Sequence, residues 1–211
     1  MESYGTSNLH ESRLMLKPYH IIDCPDDVQS IIQEKVLNYL RDNTDLLTRT
    51  DLQLWNKIKT ADIVRAVPEI HQYFMSLGLR VKEIGITVWN RHDDVNLHID
   101  ELPVTAKINF PICNTQHTYN EWYTVPEELM ATVTPMINSF GYEYYRLDTI
   151  DLSKCTKIGE TETLKPIVFN SQMPHKIRVA PEAQFPRIVM PCIFMKEPLH
   201  LLQPVSIAAT L

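Results

Sequence analysis

Apolar residues recur at Val28, Ile31, Ile32, Val36, Leu37 and Leu40. That three-to-four spacing predicts an amphipathic helix, opened by Asp26 and Asp27 where acidic side chains suit the N-terminal dipole. A second stripe, Ile63, Val64, Val67, Ile70 and Phe74, predicts a helix over about Thr60 to Leu77, kinked or broken at Pro68. From Arg80 the period changes. The runs VKEIGITVW, VNLHID, VTAKINFPI, TYNEWYTV, YEYYRLDTI, LKPIVFN, HKIRV and PRIVMPCIFM are rich in β-branched and aromatic residues and are bounded by polar or proline-containing links. The interruption PEELMATVTPMINSF has room for a short helix. Helices followed by strands predict a mainly β chain with N-terminal helices. A closed or double-sheet architecture such as a jelly roll fits, with the helices against one sheet. One domain spans 1–211: a helical lead-in and support over about 1–79, a β core over about 80–196, and a C-terminal tail over 197–211. The polar MESYGTSNLHESR segment reads as a loose lead-in without a signal-peptide pattern.

Composition narrows the class. Hydrophobic residues at 44% and charged residues at 22% are ordinary for a globular domain, and no apolar run is long enough to span a membrane. The formal charge of −6 gives no strong nucleic-acid signal. Cys24, Cys113, Cys155 and Cys192 fit no zinc spacing, and Cys113 and Cys192 lie in apolar runs. Reduced cysteines in a cytoplasmic protein are the expectation.

The candidate chemistry lies in His98-Ile99-Asp100. Side chains two apart on a strand share a face, so His98 and Asp100 point together while Leu97 and Ile99 take the other side. His92-Asp93-Asp94 has the same spacing but lies among turn formers, and a metal site needs rigid support. His98 and Asp100 are therefore preferred. His175, opening HKIRV after Met173-Pro174, is the best third ligand; the alternative is a surface or cap histidine. Two histidines and a carboxylate form the facial triad that suits Fe(II) and leaves coordination positions open. Arg187 opens an apolar strand, where an unpaired charge is costly. A carboxylate-bearing cosubstrate would satisfy it; an exposed strand end or a pair with an internal acid such as Glu182 is the plain alternative. Lys107 and Asn109 share one face of KINFPI, as cavity-lining polar residues do, although Asn109 also suits a backbone hydrogen bond. Tyr119, Trp122 and Tyr123 are candidate pocket walls or plain packing.

The ordered set His98, Asp100, His175 and Arg187 resembles the Fe(II)/2-oxoglutarate-dependent oxygenase superfamily. The segment LHIDELPVTAKINFPICNT is similar to members from phage and marine microbial genomes. The resemblance covers about Arg80 to Met195 and the helices before it. It implies a double-stranded β-helix with His98, Asp100 and His175 binding Fe(II). It further implies that Arg187 binds the distal carboxylate of 2-oxoglutarate, with Asn109 as a further polar contact to it. Oxygen would be the co-reactant, succinate and carbon dioxide the products. The retained Asp100 points to hydroxylation rather than halogenation. Val189 stands where many members carry a hydroxyl residue, so a second cosubstrate contact must come from elsewhere. The substrate (small molecule, peptide or nucleobase) and the oligomeric state are not specified, and the loops Arg91–Asn96 and Pro126–Phe140 are candidate lids. Competing classes are a cupin-like metal enzyme without 2-oxoglutarate and a non-catalytic jelly-roll protein.

Overall fold

The computed structural model describes residues 16–48, 53–100, 103–137 and 143–202; the polar N-terminal lead-in and residues 203–211 lie outside them. The first helix, α1 (Asp26–Asn43), buries Ile32, Val36 and Leu40, while Ile31, at the margin of the stripe, is 41% exposed. The second helical stretch is two helices. Proline cannot donate to the preceding turn, so α2 (Thr60–Ala66) ends before Pro68, which opens α3 (Pro68–Ser76) at a position that needs no donor.

Two six-stranded antiparallel sheets follow. The first contains β1 (Tyr19–Ile21), β2 (Gln53–Lys57), β3 (Val81–Trp89), β5 (Ala106–Cys113), β10 (Ile167–Asn170) and β12 (Arg187–Phe194), in the order β1-β10-β5-β12-β3-β2. The second contains β4 (Val95–Ile99), β6 (Thr118–Thr124), β7 (Met136–Ile137), β8 (Glu143–Arg146), β9 (Thr156–Glu162) and β11 (His175–Val179), in the order β7-β8-β4-β11-β6-β9. Strands alternate between the two sheets over β3–β6 and again over β9–β12, and this is the expected jelly roll. A one-turn helix, α4 (Glu127–Met130), falls in the predicted interruption.

Every predicted run contains a strand, but β1, β2, β7 and β9 were not expected. The first two correct the reading of the N-terminal third as helical only: they add the outer strands of the first sheet. TKIGETE in β9 is a polar edge strand with no apolar alternation to reveal it.

The helices pack on the outer face of the first sheet. Phe74 meets Phe194 and Phe110 at ring-centroid distances of 5.0 Å and 6.5 Å, and Tyr73 meets Phe110 at 5.8 Å. Period two assigns Ile108, Phe110 and Ile112 of β5 and Ile188, Met190, Cys192 and Phe194 of β12 to this helix-facing cluster. Leu202 is buried in it too, so the start of the C-terminal tail is docked. Cys192 is core as expected, and Cys113 packs at its edge; all four cysteines are free thiols. Along one side the sheets are tied together: Tyr19 of β1 stacks on Trp122 of β6 at 4.6 Å and donates its hydroxyl to the Glu160 carbonyl at 2.8 Å. Gly159, the register partner of Trp122, leaves room for the Tyr19 ring, which an added Cβ would approach to 3.1 Å. No helix among the described residues is long and apolar enough to cross a membrane.

Candidate metal centre and carboxylate site

Strand register brings the predicted ligands together. His175 of β11 pairs directly with His98 of β4, so both imidazoles leave the sheet on the same face, with ring centroids 4.3 Å apart. Asp100, one residue past β4, is held by its backbone N–H donating to the Ser171 carbonyl at 3.0 Å. Its carboxylate lies between the rings: Oδ1 is 3.6 Å from His98 Nε2 and Oδ2 is 3.6 Å from His175 Nε2. One donor atom from each of the three residues lies within 4.8 Å of the others.

The tautomers follow from the backbone. His98 Nδ1 is 2.8 Å from the Asn96 carbonyl, and His175 Nδ1 is 2.8 Å from the Met173 carbonyl. A carbonyl can only accept, so each Nδ1 carries a proton, and Nε2 is the nitrogen that each ring turns toward Asp100. That second hydrogen bond is how metal-binding histidines are oriented. Burial, reinforced by His98 and opposed by Asp100, lowers the His175 pKa to about 4, so its ring is neutral at pH 7. Burial would raise the Asp100 carboxyl, but Lys107 and then the histidines outweigh it and hold it at about 2. The donor set fits a divalent metal that accepts nitrogen and oxygen ligands.

The other predicted residues come from the inner face of the first sheet. Lys107 is 3% exposed, and its ammonium is 3.0 Å from Asp100 Oδ2, which places it against the candidate ligand cluster. Asn109 lies on the same face two residues on, and its Oδ1 is buried without a hydrogen-bond partner among the described residues. Arg187 is 1% exposed; Nε donates to Thr118 Oγ1 in the facing sheet at 2.9 Å, and the buried Nη2 has no hydrogen-bond partner among the described residues. Neither plain alternative for Arg187 applies, because it is neither exposed nor bonded to Glu182. Burial lowers its pKa to about 10, which leaves it charged at neutral pH.

Several expectations divide. His92 is exposed with its ring against Phe185, while Asp94 pairs with Lys176, so this second HxD forms no cluster. Trp122 faces inward beside His175, packed with Ile167, Phe169 and Met173. Tyr119 and Tyr123 point the other way: Arg178 lies 4.1 Å over the Tyr119 ring, and Tyr123 donates to Glu121. They are not pocket walls. In the loop proposed as a lid over Pro126–Phe140, Leu129, Met130 and Val133 pack against Leu97 and Ile99, on the face away from His98; residues 138–140 lie outside the described ones. Sequence reasoning missed Thr118, whose signal was available: with Asn120 and Trp122 it forms the inward set of TYNEWYT under strict alternation.

No family model and no curated protein matches the sequence. Solved structures do. The epimerase SnoN in complex with Fe3+, alpha ketoglutarate and nogalamycin RO aligns with a TM-score of 0.50 and 11% identity, covering 97% of this chain and 92% of that one. HygX from Streptomyces hygroscopicus with nickel and 2-oxoglutarate bound aligns at 0.49 and 8% identity, over 90% and 86% of the chains. A Pseudomonas putida prolyl-4-hydroxylase aligns at 0.41 and 11% identity, over 89% and 97%. The antiparallel two-sheet topology and the SnoN alignment together identify the architecture: this chain has the double-stranded β-helix fold, with helices against one sheet.

Proposed function

We propose that this chain is an Fe(II)- and 2-oxoglutarate-dependent dioxygenase that hydroxylates a C–H bond of a small-molecule substrate, releasing succinate and carbon dioxide. One observation carries the reading. The barrel that holds the His98–Asp100–His175 cluster also buries an arginine whose Nη2 lacks a partner. A buried, under-bonded guanidinium is costly, and a ligand carboxylate removes the cost. A metal enzyme without such a cosubstrate would leave Arg187 without a counter-charge, and a non-catalytic barrel would leave the ligand cluster without a role as well. The fold shared with SnoN, crystallised with Fe3+ and alpha ketoglutarate, supports the same pairing of ligands.

In this reading His98 Nε2, Asp100 and His175 Nε2 hold the metal, and Arg187 binds the distal carboxylate of the cosubstrate. Asn109 would contact the diacid by donating from its amide Nδ2, because Oδ1 can only accept. Lys107 restrains the Asp100 carboxylate and adds positive charge beside the cluster that the anionic cosubstrate would join. When bound, iron and 2-oxoglutarate would, with O2 as the oxidant, supply oxidative C–H cleavage coupled to loss of carbon dioxide, one oxygen atom entering succinate and the other the product. The polypeptide positions both. The test is anaerobic titration of Fe(II) and 2-oxoglutarate into the purified protein. A weak visible charge-transfer band near about 500 nm is expected for this ligand set, and His175→Ala is expected to abolish it. No band at saturating concentrations of both would refute the proposal. Product analysis with a turned-over substrate then separates hydroxylation from epimerisation.

A further inference from the structure

We infer that Thr118 is a positioning residue that fixes the Arg187 guanidinium and thereby sets the length of diacid the barrel accepts; the inference rests on the 2-oxoglutarate reading above. Its basis is a chain of two buried hydrogen bonds with a single possible direction. Thr118 Oγ1 lies 2.8 Å from the Thr115 carbonyl and 2.9 Å from Arg187 Nε. A hydroxyl has one proton, and the carbonyl can only accept, so that proton goes to Thr115. The Thr118 oxygen then accepts from Arg187. Thr118 is fully buried and Arg187 is 1% exposed, so water does not compete for either bond.

Two consequences follow for a bound diacid. Thr118 has no proton left to donate to a carboxylate, so it acts through the arginine. With Nε committed, the guanidinium can offer a carboxylate only its Nη end, where Nη2 is unpartnered. The anchor is itself fixed. The turn preceding Thr118 contains Asn114 and His117 at φ of 50° and 60°. Asn114 Nδ2 donates to the Pro186 carbonyl at 3.0 Å, immediately before Arg187. One turn therefore holds both the backbone before the arginine and the side chain beyond it. A free arginine samples many rotamers and can follow ligands of different length, whereas a tethered one presents its charge at one depth in the barrel.

The experiment uses the full chain loaded with Mn(II) without oxygen. Calorimetry measures binding of 2-oxoglutarate, oxaloacetate (one carbon shorter) and 2-oxoadipate (one longer). Thr118→Val is expected to weaken 2-oxoglutarate binding roughly 10- to 100-fold, because a hydrogen bond to a charged group is lost and a buried donor is stranded. Its preference for 2-oxoglutarate over the other two is expected to shrink. Thr118→Ser is expected to restore affinity and preference, and Mn(II) affinity is expected to be equal in all three proteins. Wild-type affinity and preference in the valine variant would overturn the inference, as would a loss that serine does not rescue or that falls equally on Mn(II). A second reading needs no valine variant. In wild-type protein with nitrogen-labelled arginine, the Arg187 Nε–H is expected to exchange slowly before any diacid is added, and rapid exchange would overturn the inference. Failure of the wild type to bind any of the three diacids would instead refute the proposed function on which it rests.

Discussion

Mild acid is expected to destabilise the metal-free protein through His175. Its ring is buried between His98 and Trp122 in the sheet, with Nδ1–H committed to the Met173 carbonyl. Burial first, and then the adjacent His98, lowers its pKa to about 4 from an ordinary 6.5. Between those values the unfolded chain takes up a proton that the folded protein refuses. The stability contribution is therefore complete above about pH 6.5 and is lost as the pH falls. At about 1.4 kcal/mol per pH unit, the loss between about pH 7 and about pH 4.5 is about 2.5 kcal/mol. That is a large part of a typical folding free energy of about 5–15 kcal/mol. Asp100 does not blur this window. Its folded pKa is held at about 2, below the ordinary 3.8, so its contribution disappears only at lower pH. Urea unfolding of the metal-free wild type and His175→Gln at both pH values isolates the effect, because glutamine keeps an amide and takes up no proton. The wild type is expected to lose about 2.5 kcal/mol more than the variant. Equal losses would refute the assignment of a buried neutral His175. The same neutrality matters for metal binding, since the Nε2 lone pair is available at pH 7 without first releasing a proton.

Other perturbations test the remaining parts of the site. Arg187→Ala is expected to reduce 2-oxoglutarate affinity by roughly two orders of magnitude in calorimetry while leaving Mn(II) affinity unchanged, because it removes a charged partner from the diacid alone. Lys107→Met removes the cation 3.0 Å from Asp100 Oδ2. It is expected to destabilise the metal-free fold by about 1–3 kcal/mol and to move the acid midpoint of Mn(II) binding upward, since the Asp100 carboxyl then protonates more readily. His92→Ala is expected to leave metal stoichiometry at the wild-type value in elemental analysis, and a lost equivalent would return the second HxD to consideration.

What the sequence made legible was whatever had a periodic signal in the strand that carries it. His98 and Asp100 alternate with Leu97 and Ile99, and the structure puts Leu97 and Ile99 in an apolar cluster with Leu147 and Ile150 on the opposite face. Strands β3, β5 and β12 were equally legible because one face of each is helix-facing core. Strand β9 was not, because a polar edge strand gains its identity from pairing with β6, not from burial. Strands β1 and β7, of three and two residues, are too short to carry a period of their own, and in β2 the apolar residues Leu54 and Trp55 are adjacent and do not alternate. Thr118 shows a different limit. Threonine is an ordinary strand residue, and its significance comes from an arginine 69 positions away that only the closed barrel brings to it. The grouping of Tyr119, Trp122 and Tyr123 failed for a local reason: odd and even positions of a strand cannot line one pocket.

The same alternation explains how this barrel tolerates its own interior. Two packed sheets usually gain stability from apolar side chains between them. Here the inward positions of β5 and β12 hold Lys107, Asn109 and Arg187, opposite Asp100 and two histidines, and burial of those charges is unfavourable by itself. Among the described residues, the inter-sheet apolar cluster around Trp122 has four buried residues, whereas the cluster between the first sheet and the helices has 26. Apolar burial is thus concentrated outside the barrel, on the back of the same two strands. Ile108 and Phe110 alternate with Lys107 and Asn109, and Ile188 and Met190 flank Val189 just after Arg187. A one-residue slip of either strand would exchange core for site, so the large apolar penalty that fixes register for folding also fixes where the polar groups point. On this accounting α1, α2 and α3 contribute no donor to the candidate site, yet they supply the burial that frees the space between the sheets for polar chemistry.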